Sequence, residues 1–101
     1  MTAFNIVRFQ VKDGMDEQFL KTQQDFTLNS PGFQEGHLIK SGDHRYCFIG
    51  MWDSAKDSLN AENDMVSLLD QFRDTLEDQG TNKGVTDFDV GDALIDYYRS
   101  K

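Results

Sequence analysis

Between Ala3 and Val11 the side chains alternate, Phe4, Ile6 and Arg8 on one side and Asn5, Val7, Phe9 and Val11 on the other, and the β-branched and aromatic content predicts a strand. Asp13-Gly14 interrupts it. Met15, Phe19, Thr22 and Phe26 then recur at helical spacing in an otherwise polar segment, with Asp13 the expected N-cap. Asn29-Ser30-Pro31-Gly32 ends that helix, because the residue before a proline is pushed out of the helical region and the glycine frees the turn.

Phe33 to Lys40 and Arg45 to Trp52 flank Ser41-Gly42-Asp43-His44 and predict a hairpin. A Gly42-Asp43 turn sets Ile39 opposite Tyr46, His37 opposite Phe48, Glu35 opposite Gly50 and Phe33 opposite Trp52. One face then gathers Phe33, Glu35, His37, Ile39, Tyr46, Phe48, Gly50 and Trp52, and the other Gly36, Leu38, Cys47, Ile49 and Met51.

Ser54-Ala55-Lys56-Asp57 has the form of a helix start and predicts a short helix through Leu59. Met65, Leu68, Leu69, Phe72 and Leu76 predict a longer one. A loop at Thr81 to Gly84 precedes a final strand, Val85 to Val90 and Ala93 to Tyr98, with a bulge or break at Gly91-Asp92. The order β-α-β-β-α-β predicts an α+β, ferredoxin-like domain with a four-stranded antiparallel sheet and both helices on one face. The strand from Arg45 to Trp52 is apolar on both sides, and helices cover only one. A homodimer is therefore expected, packed through the sheet faces, with the Ala93 to Tyr98 tail reaching over the partner.

The chain of 101 residues is long enough for a single domain, residues 1–101. Its formal charge of -8 disfavours nucleic acid and anionic membrane surfaces as partners. No apolar run is long enough to span a bilayer, and Arg8, Lys12 and Asp13 do not suit a signal peptide. One cysteine and two histidines exclude an internal disulfide and a Cys/His zinc cage, so a cytoplasmic location and no metal are expected. The Gly-rich phosphate loop, the Ser/His/Asp arrangement and Cys-x-x-Cys are all missing from the sequence.

A strand ending in Val11-Lys12-Asp13-Gly14, a helix with Phe19, then Ser30-Pro31-Gly32-Phe33, then an aromatic strand closing in Gly50-Met51-Trp52-Asp53-Ser54 resembles the antibiotic biosynthesis monooxygenase-like family of dimeric α+β barrels. The likeness spans roughly residues 3 to 95 and implies a dimer with a pocket between helices and sheet, used for polyketide-like aromatics, haem or other apolar molecules. Haem-degrading members are similar at Asn5 and Trp52, but their axial histidine, three turns beyond the tryptophan, falls here on Ala61-Glu62-Asn63-Asp64-Met65. Quinone-forming members bind a phenolate with Asn, Trp, Tyr and Arg, of which Trp52 matches and Arg73 is a stand-in.

With the expected register, and with Asn5 on the helix side as the resemblance implies, Asn5, Glu35, His37 and Trp52 share one face. They form a polar group suited to proton transfer or to donating a hydrogen bond to a ligand oxygen, unless Glu35 and His37 lie partly in water on an edge strand and pair only with each other. Asn5, His37 and Trp52 are the candidate catalytic residues. Phe9, Phe19, Phe26, Glu35, Phe48, Gly50, Met65, Leu68, Leu69 and Phe72 are the candidate lining of a ligand pocket, Gly50 leaving it room. Cys47 is expected inert at the dimer interface, His44 solvated at the hairpin tip, and the carboxylates of the longer helix solvated. The expected function is binding of an apolar aromatic or acyl-chain molecule. The alternative is cofactor-independent oxygenation of a phenolic, anthrone-like substrate, with haem degradation behind it; no cofactor is expected.

Overall fold

The computed structural model describes residues 2–80 and 84–100, and most of the expected Thr81 to Gly84 loop lies outside them. Strand β1 (Ala3–Gln10) leads to helix α1 (Asp16–Gln24), then β2 (Phe33–Gly42), β3 (Arg45–Trp52), helices α2 (Ala55–Asn60) and α3 (Glu62–Asp70), and β4 (Asp87–Asp92). All neighbouring strands are antiparallel, in the order β2-β3-β1-β4, which is the ferredoxin-like arrangement. Both helical segments pack on the face that carries Asn5, Val7 and Phe9. Among the described residues no helix is long and apolar enough to cross a membrane.

Two local signals act as expected. Ser54 Oγ accepts from Asp57 N–H at 3.2 Å and caps α2. In Ser30-Pro31-Gly32-Phe33, Gly32 takes φ +85° and Phe33 N–H donates to Ser30 O at 3.1 Å, closing the turn that starts β2, although the helix this segment is expected to end stops earlier, at Gln24, with Asp25 as its C-cap.

Four expectations are corrected. Asp13 does not cap α1: the N-cap is Met15, which makes no side-chain capping bond, and the Asp13 carboxylate lies 3.6 Å from His44 Nε2. The helix expected through Leu76 ends at Asp70, followed by a 3-10 turn at Arg73–Thr75. Lys12 N–H donates to Thr75 O, Glu77 N–H donates to Gln10 O, and Val11 pairs with Leu76, so bonding to the extended end of β1 replaces the last helical turns. Gly91 and Asp92 pair regularly with Phe4 and Ala3 inside β4. From Ala93 to Tyr98 the chain is not strand.

The fourth correction is the hairpin register. Gly42 pairs with Arg45, so the turn is Asp43-His44, with His44 at φ 58°. Bulges at Ser41 and Gln34 then set Lys40 opposite Tyr46, Leu38 opposite Phe48 and Gly36 opposite Gly50, and restore the expected Phe33–Trp52 pair. Glu35, His37 and Ile39 are therefore on the face of Met51, Ile49 and Cys47, away from the helices. The slip puts apolar Leu38 under the helices and leaves Glu35 and His37 in water, which avoids burying two ionisable groups.

The core is aromatic and sits toward the Phe9 and Tyr46 end of the sheet. Phe19 is fully buried, with its ring 5.7 Å from Phe9, 4.9 Å from Tyr46 and 5.5 Å from Phe72, and Val11 and Leu76 close this end. The opposite sheet face carries half-buried Phe4, Ile6, Ile49 and Met51, and among the described residues no helix covers it.

Candidate functional site

Toward the Asn5 end of the sheet the packing opens. A cleft of about 490 Å³ lies between sheet and helices, floored by Asn5, Val7 and Phe9 of β1, Gly36 and Leu38 of β2, and Phe48 of β3. Phe26, Met65, Leu68, Leu69 and Phe72 form its helical wall, and Phe88 and Val90 of β4 line its far side. The exposed side chains of Leu59, Val66 and Phe88 mark its mouth.

One of its buried polar groups is Asn5, only 3% exposed. Asn5 Oδ1 accepts a hydrogen bond of 2.8 Å from Nε1–H of the fully buried Trp52, while Asn5 Nδ2 finds only the Met65 thioether, at 3.6 Å. Sulfur is a weak acceptor, so this amide group retains most of its capacity to donate to a ligand oxygen. Asn5 and Gly50 are opposite each other on β1 and β3. A side chain at Gly50 would collide with Asn5 Oδ1 and come within 3.0 Å of Trp52 Nε1, so the missing side chain makes room for the Asn5–Trp52 bond. Phe48 lies over the paired glycines, its ring within 2.7 Å of where a Gly36 Cβ would stand.

Of the candidate residues, Asn5, Phe9, Phe26, Phe48, Met65, Leu68, Leu69 and Phe72 meet around the cleft. Phe19 is instead consumed in the solid core. Trp52 and Gly50 act from behind Asn5. Glu35 and His37 are on the far face, joined to each other at 2.7 Å and both more than half exposed, so neither reaches the cleft. The cleft also takes in residues that are not candidates from the sequence, among them Val7, Leu38, Gln23 and Glu62: Val7 and Leu38 follow from strand alternation once the register is known, whereas Gln23 and Glu62 are polar and carry no periodic signal.

A second cluster was not visible in the sequence. His44 is not simply solvated: its Nδ1 is 2.6 Å from Asp16 Oδ1, and Tyr46 O–H donates to Asp16 Oδ2 at 2.7 Å. The Tyr46 and His44 hydrogen bonds hold the Asp16 carboxyl below its ordinary value. The Asp16 carboxylate in turn raises His44 and Tyr46 above theirs. These residues border an open polar groove between α1 and the hairpin tip, and they tie the two elements together. Among the described residues no three His, Cys, Asp or Glu side chains converge as metal ligands.

No family model matches the sequence, and no curated protein does. Solved structures match over nearly the whole chain. A Nitrosomonas europaea protein assigned as an antibiotic biosynthesis monooxygenase superposes with a TM-score of 0.72 at 16% identity, covering 92% of this chain and 90% of its own. The chain has the ferredoxin-like fold of that group. A dimeric ferredoxin-like protein from an uncultured marine organism gives 0.73 at 13% identity, with 98% and 93% covered. SnoaB, a cofactor-independent oxygenase from Streptomyces nogalater, gives 0.65 at 17%, with 94% and 95% covered.

Proposed function

We propose that the chain forms a homodimer and that each protomer holds an apolar, aromatic small molecule in the cleft between sheet and helices. The observation that carries this reading is the cleft itself, about 490 Å³ walled by Phe9, Phe26, Phe48, Leu68, Leu69 and Phe72, with Asn5 in its floor and the Asn5 amide nitrogen held only by the Met65 thioether. That volume suits a small organic ligand, and one oriented donor among apolar walls fits recognition of a single ligand oxygen. The dimer rests on the helix-free face, where Phe4, Ile6, Ile49 and Met51 are left half-covered, and on the exposed Leu94, Ile95, Tyr97 and Tyr98 of the tail, which a partner would bury. A dimeric protein of this fold supports it.

Native mass spectrometry tests both parts. The expected result is twice the 11.6 kDa chain mass plus an excess that disappears on denaturation. A monomer would remove the dimer, and a dimer that takes up no mass after incubation with aromatic ligands would remove the binding function.

A second reading, cofactor-independent oxygenation of a phenolic, anthrone-like molecule, draws on the likeness to SnoaB and on Asn5 as donor to the substrate oxygen. An amide is not a base, and His37 is on the wrong face, so proton removal would fall to Glu62, the one ionisable side chain among the described cleft residues. Oxygen uptake with anthrone that Glu62→Gln abolishes is the expected result. Haem ligated by an axial histidine does not fit: α3 runs Glu62–Asp70 without a histidine, and neither histidine of the chain lines the cleft.

A further inference from the structure

The lining of the cleft is uneven in its chemistry. Phe9, Phe26, Phe33, Phe48, Phe72 and Phe88 all contribute to it, together with the Met65 thioether. Among the described residues no Lys, Arg or His lines it, and Glu62 is its one charged side chain. Aromatic rings carry negative potential on their faces and attract an organic cation, most strongly where water is excluded. A pocket for hydrocarbon alone has no use for a carboxylate on its wall.

Position sets Glu62 apart from the other acidic side chains of α3. It precedes Met65 by three residues and Val66 by four, so it shares their cleft-facing side of the helix. The first turn of a helix favours carboxylates, but Asp64 of the same turn is spent on Ser30, whose hydroxyl donates to it at 2.7 Å. The Glu62 carboxylate makes no ion pair with a described residue. Glu62 is exposed and Asn5 is buried, so the carboxylate stands at the mouth while the Asn5 amide N–H belongs to the floor. Packing of α2 against β4 brings the exposed Phe88 ring to the same rim.

Mouth and floor are therefore of opposite sign, negative outside and hydrogen-donating inside. A ligand carboxylate or phosphate finds no counter-charge there, beside Glu62 and on a chain of net charge -8. A neutral hydrocarbon strips water from the Glu62 carboxylate and returns nothing for it. An ammonium group at one end of an apolar body pairs with Glu62, keeps part of its own water at the mouth, and buries the body among the phenylalanines.

We infer that Glu62 is a specificity-determining residue and that the cleft takes amphiphilic organic cations, a ring-bearing apolar body with an amine or quaternary ammonium held between the Glu62 carboxylate and the aromatic rim. This rests on the proposed use of the cleft for small molecules and adds the charge of its ligand. The polarity of the cleft fixes the orientation, body toward Asn5 and cation outward.

Equilibrium dialysis of the full chain with three naphthalene probes tests it: (2-naphthylmethyl)trimethylammonium, 2-neopentylnaphthalene, in which carbon replaces the charged nitrogen at the same shape, and 2-naphthylacetate. The wild type is expected to bind the cation at least about five-fold more tightly than its neutral isostere, in line with one cation–π contact and one partly solvated ion pair, and the carboxylate most weakly. Glu62→Gln, at an exposed position, is expected to bind the neutral probe as before and to lose most of the preference for the cation. Equal or tighter binding of the neutral probe by the wild type, or a preference that survives intact in Glu62→Gln, would overturn the inference while leaving the cleft a binding site. So would equal loss of both probes in that variant, since the residue would then support the cleft and not read charge. Failure of all three probes on the wild type would remove the cleft reading and this inference with it.

Discussion

Trp52 and Asn5 are joined across the β1–β3 ladder by a 2.8 Å hydrogen bond from indole Nε1–H to amide Oδ1, and the bond exists because the residue facing Asn5 is Gly50. The bond fixes which end of the Asn5 amide is turned toward Met65 and the cleft.

Gly50→Ala should therefore destabilise the chain, by about 1–3 kcal/mol as an overpacked core position does, through the collision with Asn5 Oδ1. Gly91→Ala is the control, since a Cβ there meets nothing within 4 Å. Urea denaturation of the two variants should show a lower midpoint for the first and little change for the second.

Asn5→Leu leaves the buried indole N–H of Trp52 without its acceptor, and a loss of about 1–3 kcal/mol is expected. Trp52 is the single tryptophan, so its emission reports the change directly. An unaltered spectrum with unaltered stability would show that the bond has no role.

The Asp16–His44 pair should make stability depend on pH from both sides. His44 is raised from 6.5, so its contribution is complete below that value and is lost as pH rises through the raised folded pKa. Asp16 is lowered from 3.8, so its contribution is present above that value and is lost as pH falls through the lowered folded pKa. His44→Asn keeps a residue that tolerates the positive φ of 58° and removes the pair. The melting-temperature advantage of wild type over this variant should be greatest between the two limits and shrink in alkaline solution.

His37→Ala should leave ligand retention unchanged, because the imidazole faces away from the cleft and bonds Glu35. Mass spectrometry of the variant with and without denaturation is the measurement. A loss of bound ligand would contradict the observed register.

Ile49→Asp places a charge at the centre of the helix-free face, between Ile6 and His37. If the wild type is the proposed dimer, sedimentation should then show a monomer for the variant, the desolvation of an unpaired carboxylate opposing association.

Much of the fold was legible in short stretches of sequence. Strand alternation in Ala3 to Val11, the Ser30-Pro31-Gly32 turn and the Ser54 cap are local phenomena, set by side-chain period, fixed φ and a hydrogen bond three residues away. From these follow the element order, the ferredoxin-like sheet and the apolar identity of most of the cleft wall. The tertiary structure alone decided the rest. Two bulges slid β2 by one residue and sent Glu35 and His37 to the opposite face, since a two-residue period turns a single slip into an exchange of faces. Helix α3 stopped at Asp70 because the end of β1 competed for the backbone groups of Thr75 and Glu77. Asp16 and His44 meet across 28 residues, and Gln23 became an unpaired donor, through packing between elements, which no local pattern encodes.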